Sequence, residues 1–289
     1  MEQIDTLKNG YKIIQDTDRF QFGIDAVLLA DFAMKGCGTD LLKSGKTGGT
    51  DGGTSDESDG QTDRPAEKQP GRHPARFIDL GTGTGIIPLL MAENRRWSDV
   101  CKNDNLQPPA IFTGLEVQKD SAEMAGRSVA LNGLESRIRI VHGDLRSLDG
   151  LFDRHSFNVV TCNPPYMIDA HGKGNELDAK TIARHEVLCT LEDVVAAADY
   201  LLAPHGKFFM IHRPFRLPEI FESLAAHKLE PKRMRLIFPF ANKEPNMVLI
   251  EARKNAKRRL TIEPPLIVRY DNGEYTAEVQ KIYNSPVIE

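Results

Sequence analysis

Phe77-Ile78-Asp79-Leu80-Gly81-Thr82-Gly83-Thr84-Gly85 runs directly into Ile86-Ile87-Pro88-Leu89-Leu90-Met91-Ala92. An apolar run that gives way to spaced glycines and then to a helical apolar pattern reads as strand, tight turn and helix, the nucleotide-binding corner of a doubly wound sheet. Glycines at 81, 83 and 85 let the backbone approach a ligand closely. The second gap is shorter than in the dinucleotide fingerprint, and Asp79 stands two residues before the first glycine. A carboxylate there would repel a pyrophosphate but suits the ammonium of a methionine moiety. S-adenosylmethionine is therefore the expected cofactor, held at Asp79, Gly81, Thr82, Gly83 and Gly85.

Outside this corner, apolar runs at 75–80, 111–116, 137–141, 157–162 and 206–211 alternate with helical patterns near 85–95, 118–132 and 191–203, which implies a parallel sheet. The runs Arg233–Phe238 and Met247–Glu251 are separated only by residues 239–246, too few for a parallel crossover, so they are expected as antiparallel neighbours. The expected fold is a Rossmann-like α/β class I methyltransferase domain over 1–254, with a seven-stranded, mostly parallel sheet and one antiparallel strand. Residues 36–74 are rich in Gly, Ser, Thr and Asp and read as a mobile insert. A shorter polar insertion covers 97–109, and 255–289 reads as a basic tail and extension.

Ligands of such sheets bind at the carboxyl ends of the strands. Glu116 ends the second strand and suits the two ribose hydroxyls of the cofactor. It lies 37 residues beyond Asp79, with the 97–109 insertion accounting for the long gap. Asp144 ends the third strand, where a carboxylate can accept from the cofactor's adenine amine. Phe22 and Asp25 precede the first strand. Asp25 reads either as a helix N-cap or as part of a segment that folds over the cofactor pocket.

Asn163-Pro164-Pro165-Tyr166 follows the fourth apolar run. Two prolines must end that strand, because proline lacks the N–H of a sheet ladder and fixes φ. Alone, the tetrapeptide is also compatible with an ordinary Pro-Pro turn. Its chemical reading is a stiff loop that presents an amide oxygen, a carbonyl and an aromatic face to a planar amino group, with Asn163 also bordering the cofactor. Two hydrogen-bond acceptors on an exocyclic NH2 favour a pyramidal nitrogen with a localised lone pair, and positioning then carries the rate. Cys162 offers a rival thiol mechanism, but it also suits a small packed strand residue.

Net charge is −4, yet residues 207–259 hold thirteen Lys and Arg against five Asp and Glu. That asymmetry reads as phosphate contact by Lys232, Arg233, Arg253, Lys254, Lys257, Arg258 and Arg259, or as a solvated basic face. Four scattered cysteines and the histidine spacings indicate neither a disulfide framework nor a metal site. No run of about 18 apolar residues and no basic, apolar leader occur, so a cytoplasmic, non-membrane protein is expected.

The two motifs resemble those of amino methyltransferases that act on adenine N6, cytosine N4 or glutamine N5. Phe22–Ala30, Ile182-Ala183-Arg184-His185-Glu186, His212-Arg213-Pro214, Glu230–Arg233 and Asn246–Glu251 resemble the bacterial tRNA1(Val) adenine-37 N6-methyltransferase family, over most of residues 1–280. The resemblance implies action on an adenine beside the tRNA anticodon, unstacked to reach Tyr166, and a monomer is expected. It places Asn163, Pro164, Pro165 and Tyr166 in the catalytic loop; Arg184 and His185, downstream of that loop, read either as a lid or RNA contact or as a helix-start salt bridge. Glutamine-N5 methylation of a release factor and a non-catalytic RNA scaffold are the rival readings.

Overall fold

Strand and helix assignments follow from which faces of the apolar runs are covered. A computed structural model describes residues 1–7, 10–17, 22–37, 74–92, 110–164 and 189–284. Helix α1 (Ile24–Cys37) precedes β3 (Arg76–Leu80), α2 (Ile86–Ala92), β4 (Ile111–Glu116), α3 (Lys119–Leu131), β5 (Ile138–His142) and β6 (Phe157–Cys162). Then come α4 (Leu191–Leu201), β7 (Leu202–His212), a 3-10 turn (Pro214–Arg216), α5 (Leu217–Ala226), β8 (Leu229–Phe240) and β9 (Met247–Lys254). The central seven strands run in the order β8-β9-β7-β6-β3-β4-β5, and β9 is antiparallel to both neighbours. All other pairings in that set are parallel.

Period-two alternation sorts the strand residues between two cores. Phe209 and Ile211 of β7 join α1 and α2 on one face, with Phe77, Phe112 and Val159. Phe208 and Met210 join α4 and α5 on the other, with Ile78, Leu80 and Val160. Phe208 and Phe209 are both fully buried, and each contributes roughly 1.5–3 kcal/mol of apolar burial. The sheet is therefore the middle layer of an α/β/α sandwich, and its carboxyl edge is fixed by cores on both faces.

Four details differ from expectation. First, a hairpin of β1 (Glu2–Thr6) and β2 (Lys12–Asp16) forms at the N-terminus and docks on α3. The Asn132 amide there bonds both the N–H (2.8 Å) and the carbonyl (2.7 Å) of Lys12, as a neighbouring strand would. Second, β7 starts at Leu202, so α4 ends two residues before the expected 203. Pro204 cannot continue the helix, and the register with β6 shifts beside it. Third, Gly36 and Cys37, placed in the insert, close α1, while 38–73 lie outside the described residues. Fourth, the segment read as a tail adds β10 (Thr261–Ile262) and β11 (Leu266–Arg269), both parallel to β8, so that among the described residues the central sheet has nine strands. It continues into α6 (Ala277–Asn284), whose Val279 and Ile282 enter the core beside α1. The 97–109 insertion also lies outside the described residues.

Candidate active site at the carboxyl edge

The glycine turn leaves β3 with Gly81, Gly83 and Gly85 at φ values of +68°, +56° and +88°. Left-handed backbone at three alternate positions costs a side-chain-bearing residue roughly 1–2 kcal/mol each, which explains the spacing of glycines. Gly81 and Thr82 donate their N–H groups to the Leu115 carbonyl at 2.9 and 3.0 Å, which ties the turn to the end of β4. Glu116 is buried; its Oε2 accepts from the Gly83 N–H and its Oε1 from the Gln118 N–H, both at 2.8 Å. Each oxygen retains a lone pair. A carboxylate is thus held rigidly where ribose hydroxyls were expected.

Asp79 is buried to 3% exposure and pairs across the sheet with Thr161. Thr161 Oγ1 donates to its Oδ1 at 2.6 Å, whereas the buried Oδ2 has no hydrogen-bond partner among the described residues. Thr82 Oγ1 lies near enough to lower the Asp79 pKa somewhat, but not in hydrogen-bond geometry. Burial dominates and pushes the carboxyl up to about 7 from an ordinary 3.8. An orphaned buried oxygen at the glycine turn is what a cationic ligand group would satisfy, so these residues fit the ammonium of a methionine-derived cofactor.

At the end of β6, Asn163 Nδ2 donates to Asp25 Oδ2 at 3.1 Å. Asp25 lies in the first turn of α1, where a carboxylate is favoured by the helix dipole. Asp25 is the second residue of α1 and not its N-cap, so the helix-cap reading gives way to a contact with the end of β6. Phe22 is held from behind: its N–H donates to Oε1 of the buried Gln15 at 3.1 Å, and Gln15 Nε2 donates to Asp5 at 2.6 Å. Gln15 escaped the sequence reading because nothing local marks its partner. Pro164 is buried; Pro165, Tyr166, Arg184 and His185 lie outside the described residues.

Asp144 is engaged on its own turn. Arg146 donates to it from its backbone N–H (2.9 Å), Nε (3.0 Å to Oδ2) and Nη2 (2.6 Å), and this holds the carboxyl below its ordinary pKa. A ligand amine would have to share that pair. Cys162 is buried between Leu80 and Met210 of the flanking strands, and burial pushes its thiol well above the ordinary value. It is a packed strand residue rather than a thiolate. His212, at the end of the adjacent β7, is buried and neutral: its pKa falls to about 4 through burial, and its Nδ1 accepts the Arg213 N–H at 2.8 Å.

Two of the cations read as phosphate contacts are turned inward. Arg233 bridges Glu251 and Glu263 at 2.8 Å each, donates to the Phe32 carbonyl at 2.8 Å and covers the Phe32 ring. Lys254 is 6% exposed and pairs with Asp199 at 2.9 Å. Both clamp helices to the sheet because their strands place them beneath α1 and α4. Lys257, Arg258 and Arg259 are exposed, as is Arg253. Arg253 lies near the end of β9 and the other three follow it, where β9 exits level with the start of β8 at the edge of the sheet opposite Asn163. Lys232 reaches back to the Lys257 carbonyl at 2.8 Å. Among the described residues no cluster of His, Cys, Asp or Glu could hold a metal ion, and no helix is long and apolar enough to cross a membrane.

No family model matches the chain. A Porphyromonas gingivalis protein named tRNA1(Val) (adenine(37)-N6)-methyltransferase is 29% identical over 221 residues, 75% of this chain and 81% of that protein. Proteins of the same name from Tolumonas auensis and Parabacteroides distasonis are 28% and 26% identical over 72% of this chain, covering 80% and 82% of their own lengths. Among solved structures, one described as a predicted O-methyltransferase of Agrobacterium tumefaciens aligns with a TM-score of 0.54 at 23% identity, covering 73% of this chain and 88% of that one. A human methyltransferase 10 domain containing protein aligns at 0.50 and 18% identity, covering 86% and 90%. The sandwich is thus the class I methyltransferase fold, and over three quarters of its length the chain is similar to bacterial proteins named tRNA1(Val) (adenine(37)-N6)-methyltransferase.

Proposed function

We propose that this protein transfers the methyl group of S-adenosylmethionine to N6 of an adenine in tRNA, adenine 37 beside the anticodon, acting as a monomer in the cytoplasm. The observation that carries the reading is the Asp25–Asn163 hydrogen bond at the carboxyl end of β6. A carboxylate only accepts, so the group of the amide that faces it is the NH2, and the carbonyl oxygen is the other arm. This orientation supports a role for the Asn163 carbonyl as acceptor for one N–H of an incoming amine, with the adjacent Pro164 carbonyl as the second acceptor.

When bound, the cofactor supplies an electrophilic methyl on a sulfonium. Asp79 would hold its ammonium, Glu116 its ribose hydroxyls and Asp144 its adenine amine, with Phe22 and the glycine turn as walls. Asn163 and Pro164 orient the target nitrogen toward that methyl, and Tyr166, by family resemblance, stacks on the base. Positioning of this kind removes the entropy of encounter, and the fixed dipoles stabilise the charge that develops on nitrogen. The exposed Arg253, Lys257, Arg258 and Arg259 would meet phosphates of the tRNA remote from the target base.

Labelled S-adenosylmethionine supplied with undermodified tRNA and with release factors in parallel tests the reading. N6-methyladenosine in the RNA is the expected product; label in a glutamine peptide instead would replace this reading with its rival.

A further inference from the structure

Among the described residues, Phe215 and Tyr270 are the two exposed Phe, Tyr or Trp side chains, 58% and 50% accessible. Both leave the sheet at the same edge as Asn163. Phe215 lies in the 3-10 turn just after β7, the strand adjacent to β6. Tyr270 follows β11, which runs parallel to β8 and ends with Arg269 opposite Phe240, the last residue of β8. Four strand spacings separate β6 from β11, about 19 Å at 4.8 Å each. Every other described Phe and Tyr is buried or half-buried, so this placement puts the exposed rings along one rim.

Each ring sits on an anchored turn. Arg213 Nη1 donates to the Asn246 carbonyl at 2.9 Å, which fixes the exit of β7 against the entry to β9. Tyr270 sits in a tight turn with Tyr270 N–H on the Glu274 carbonyl and Gly273 N–H on the Tyr270 carbonyl, both at 2.9 Å, while its hydroxyl accepts from the Ala277 N–H at 3.2 Å. Leaving an aromatic ring in water on a rigid turn forgoes burial energy without any packing return. The cations next to each ring in the chain are already engaged: Arg216 pairs with Glu219, and Arg269 lies 4.3 Å over the Tyr275 ring. Face contact, rather than phosphate pairing, is therefore the chemistry these positions offer.

We propose that Phe215 and Tyr270 are stacking platforms for unpaired nucleobases flanking the target adenine. This rests on the RNA reading above. Unstacking a loop base costs stacking energy, and new partners for its neighbours offset that cost, each aromatic platform contributing about 5- to 150-fold in affinity.

The test uses the full chain and an unmodified anticodon stem–loop RNA, with binding followed by anisotropy and methyl transfer by steady-state kinetics. Phe215→Ala and Tyr270→Ala should each raise the RNA KM and Kd at least fivefold with S-adenosylmethionine affinity unchanged, Phe215→Trp should restore binding, and Phe215→Leu should not. Leu131→Ala, which removes an exposed apolar side chain on α3, should behave as wild type. An abasic nucleotide at the stacked position should erase the difference between wild type and the alanine variant. If the wild type binds and methylates the RNA while both alanine variants match it, the stacking role is overturned and the RNA reading stands. A wild type that neither binds nor methylates RNA overturns both.

Discussion

Asp25 Oδ2 and Asn163 Nδ2 stand 3.1 Å apart although 138 residues separate them in the chain. This contact joins the start of α1 to the end of β6 and turns the amide NH2 of Asn163 toward Asp25. Asp25→Ala should slow single-turnover methyl transfer about 10- to 150-fold, the range for a lost charge-assisted hydrogen bond. Asp25→Asn can present its own carbonyl and should retain most of the rate. Equal rates for Asp25→Ala and wild type would show that Asn163 needs no orienting partner.

Asp79 predicts a pH dependence. Its carboxyl ionises at about 7 when folded against an ordinary 3.8, so between those values the folded chain binds the additional proton. Stability from this group is therefore fullest below the unfolded value and declines as pH rises toward about 7. Asp79→Asn should remove that decline in urea midpoints measured without cofactor. Holding an ammonium requires the ionised form, so S-adenosylmethionine affinity should rise through about pH 7 in the wild type and stay flat in Asp79→Asn. A flat wild-type titration by calorimetry would exclude Asp79 as the ammonium partner.

Gly114 supports the glycine turn from the next strand. A Cβ there would lie 2.7 Å from Thr82 Cγ2 and 2.9 Å from Ile140 Cδ1. Gly114→Ala should cost about 1–3 kcal/mol of stability by overpacking and weaken cofactor binding by displacing Thr82. Gly126→Ala on α3, where a Cβ meets nothing within 4 Å, should leave cofactor binding unchanged.

The basic residues separate into two behaviours. Arg233→Ala strands Glu251, whose side chain is 10% exposed, and should destabilise the fold by about 3–5 kcal/mol. Reversing both Arg258 and Arg259 to glutamate should leave the unfolding midpoint within about 0.5 kcal/mol. It should flatten the salt dependence of tRNA binding, each lost phosphate contact removing about one from the slope. A normal salt slope in that double variant would return these residues to a merely solvated face.

The alternation of strands and helices was legible because parallel strands buried on both faces leave continuous apolar runs, as in Phe157–Cys162, and because glycines and prolines punctuate them. The hairpin β1–β2 was not, since one strand reads Glu-Gln-Ile-Asp-Thr and is mostly exposed. Strands β10 and β11 are only two and four residues long beside Pro264 and Pro265, too short to outweigh a basic, polar context. Asp79, Glu116 and Asn163 could be read from their strand ends. The inward turn of Arg233 and Lys254 could not, because their partners Glu263, Phe32 and Asp199 come from distant segments.

The most direct measurement is single-turnover transfer from labelled S-adenosylmethionine to undermodified tRNA by the wild type and by Asn163→Ala, with the modified nucleoside identified by mass. The wild type should place one methyl on N6 of adenine 37, and Asn163→Ala should slow that step by about 100-fold or more at saturating S-adenosylmethionine. Transfer at the wild-type rate by Asn163→Ala, or a methyl on any other atom, would contradict the account.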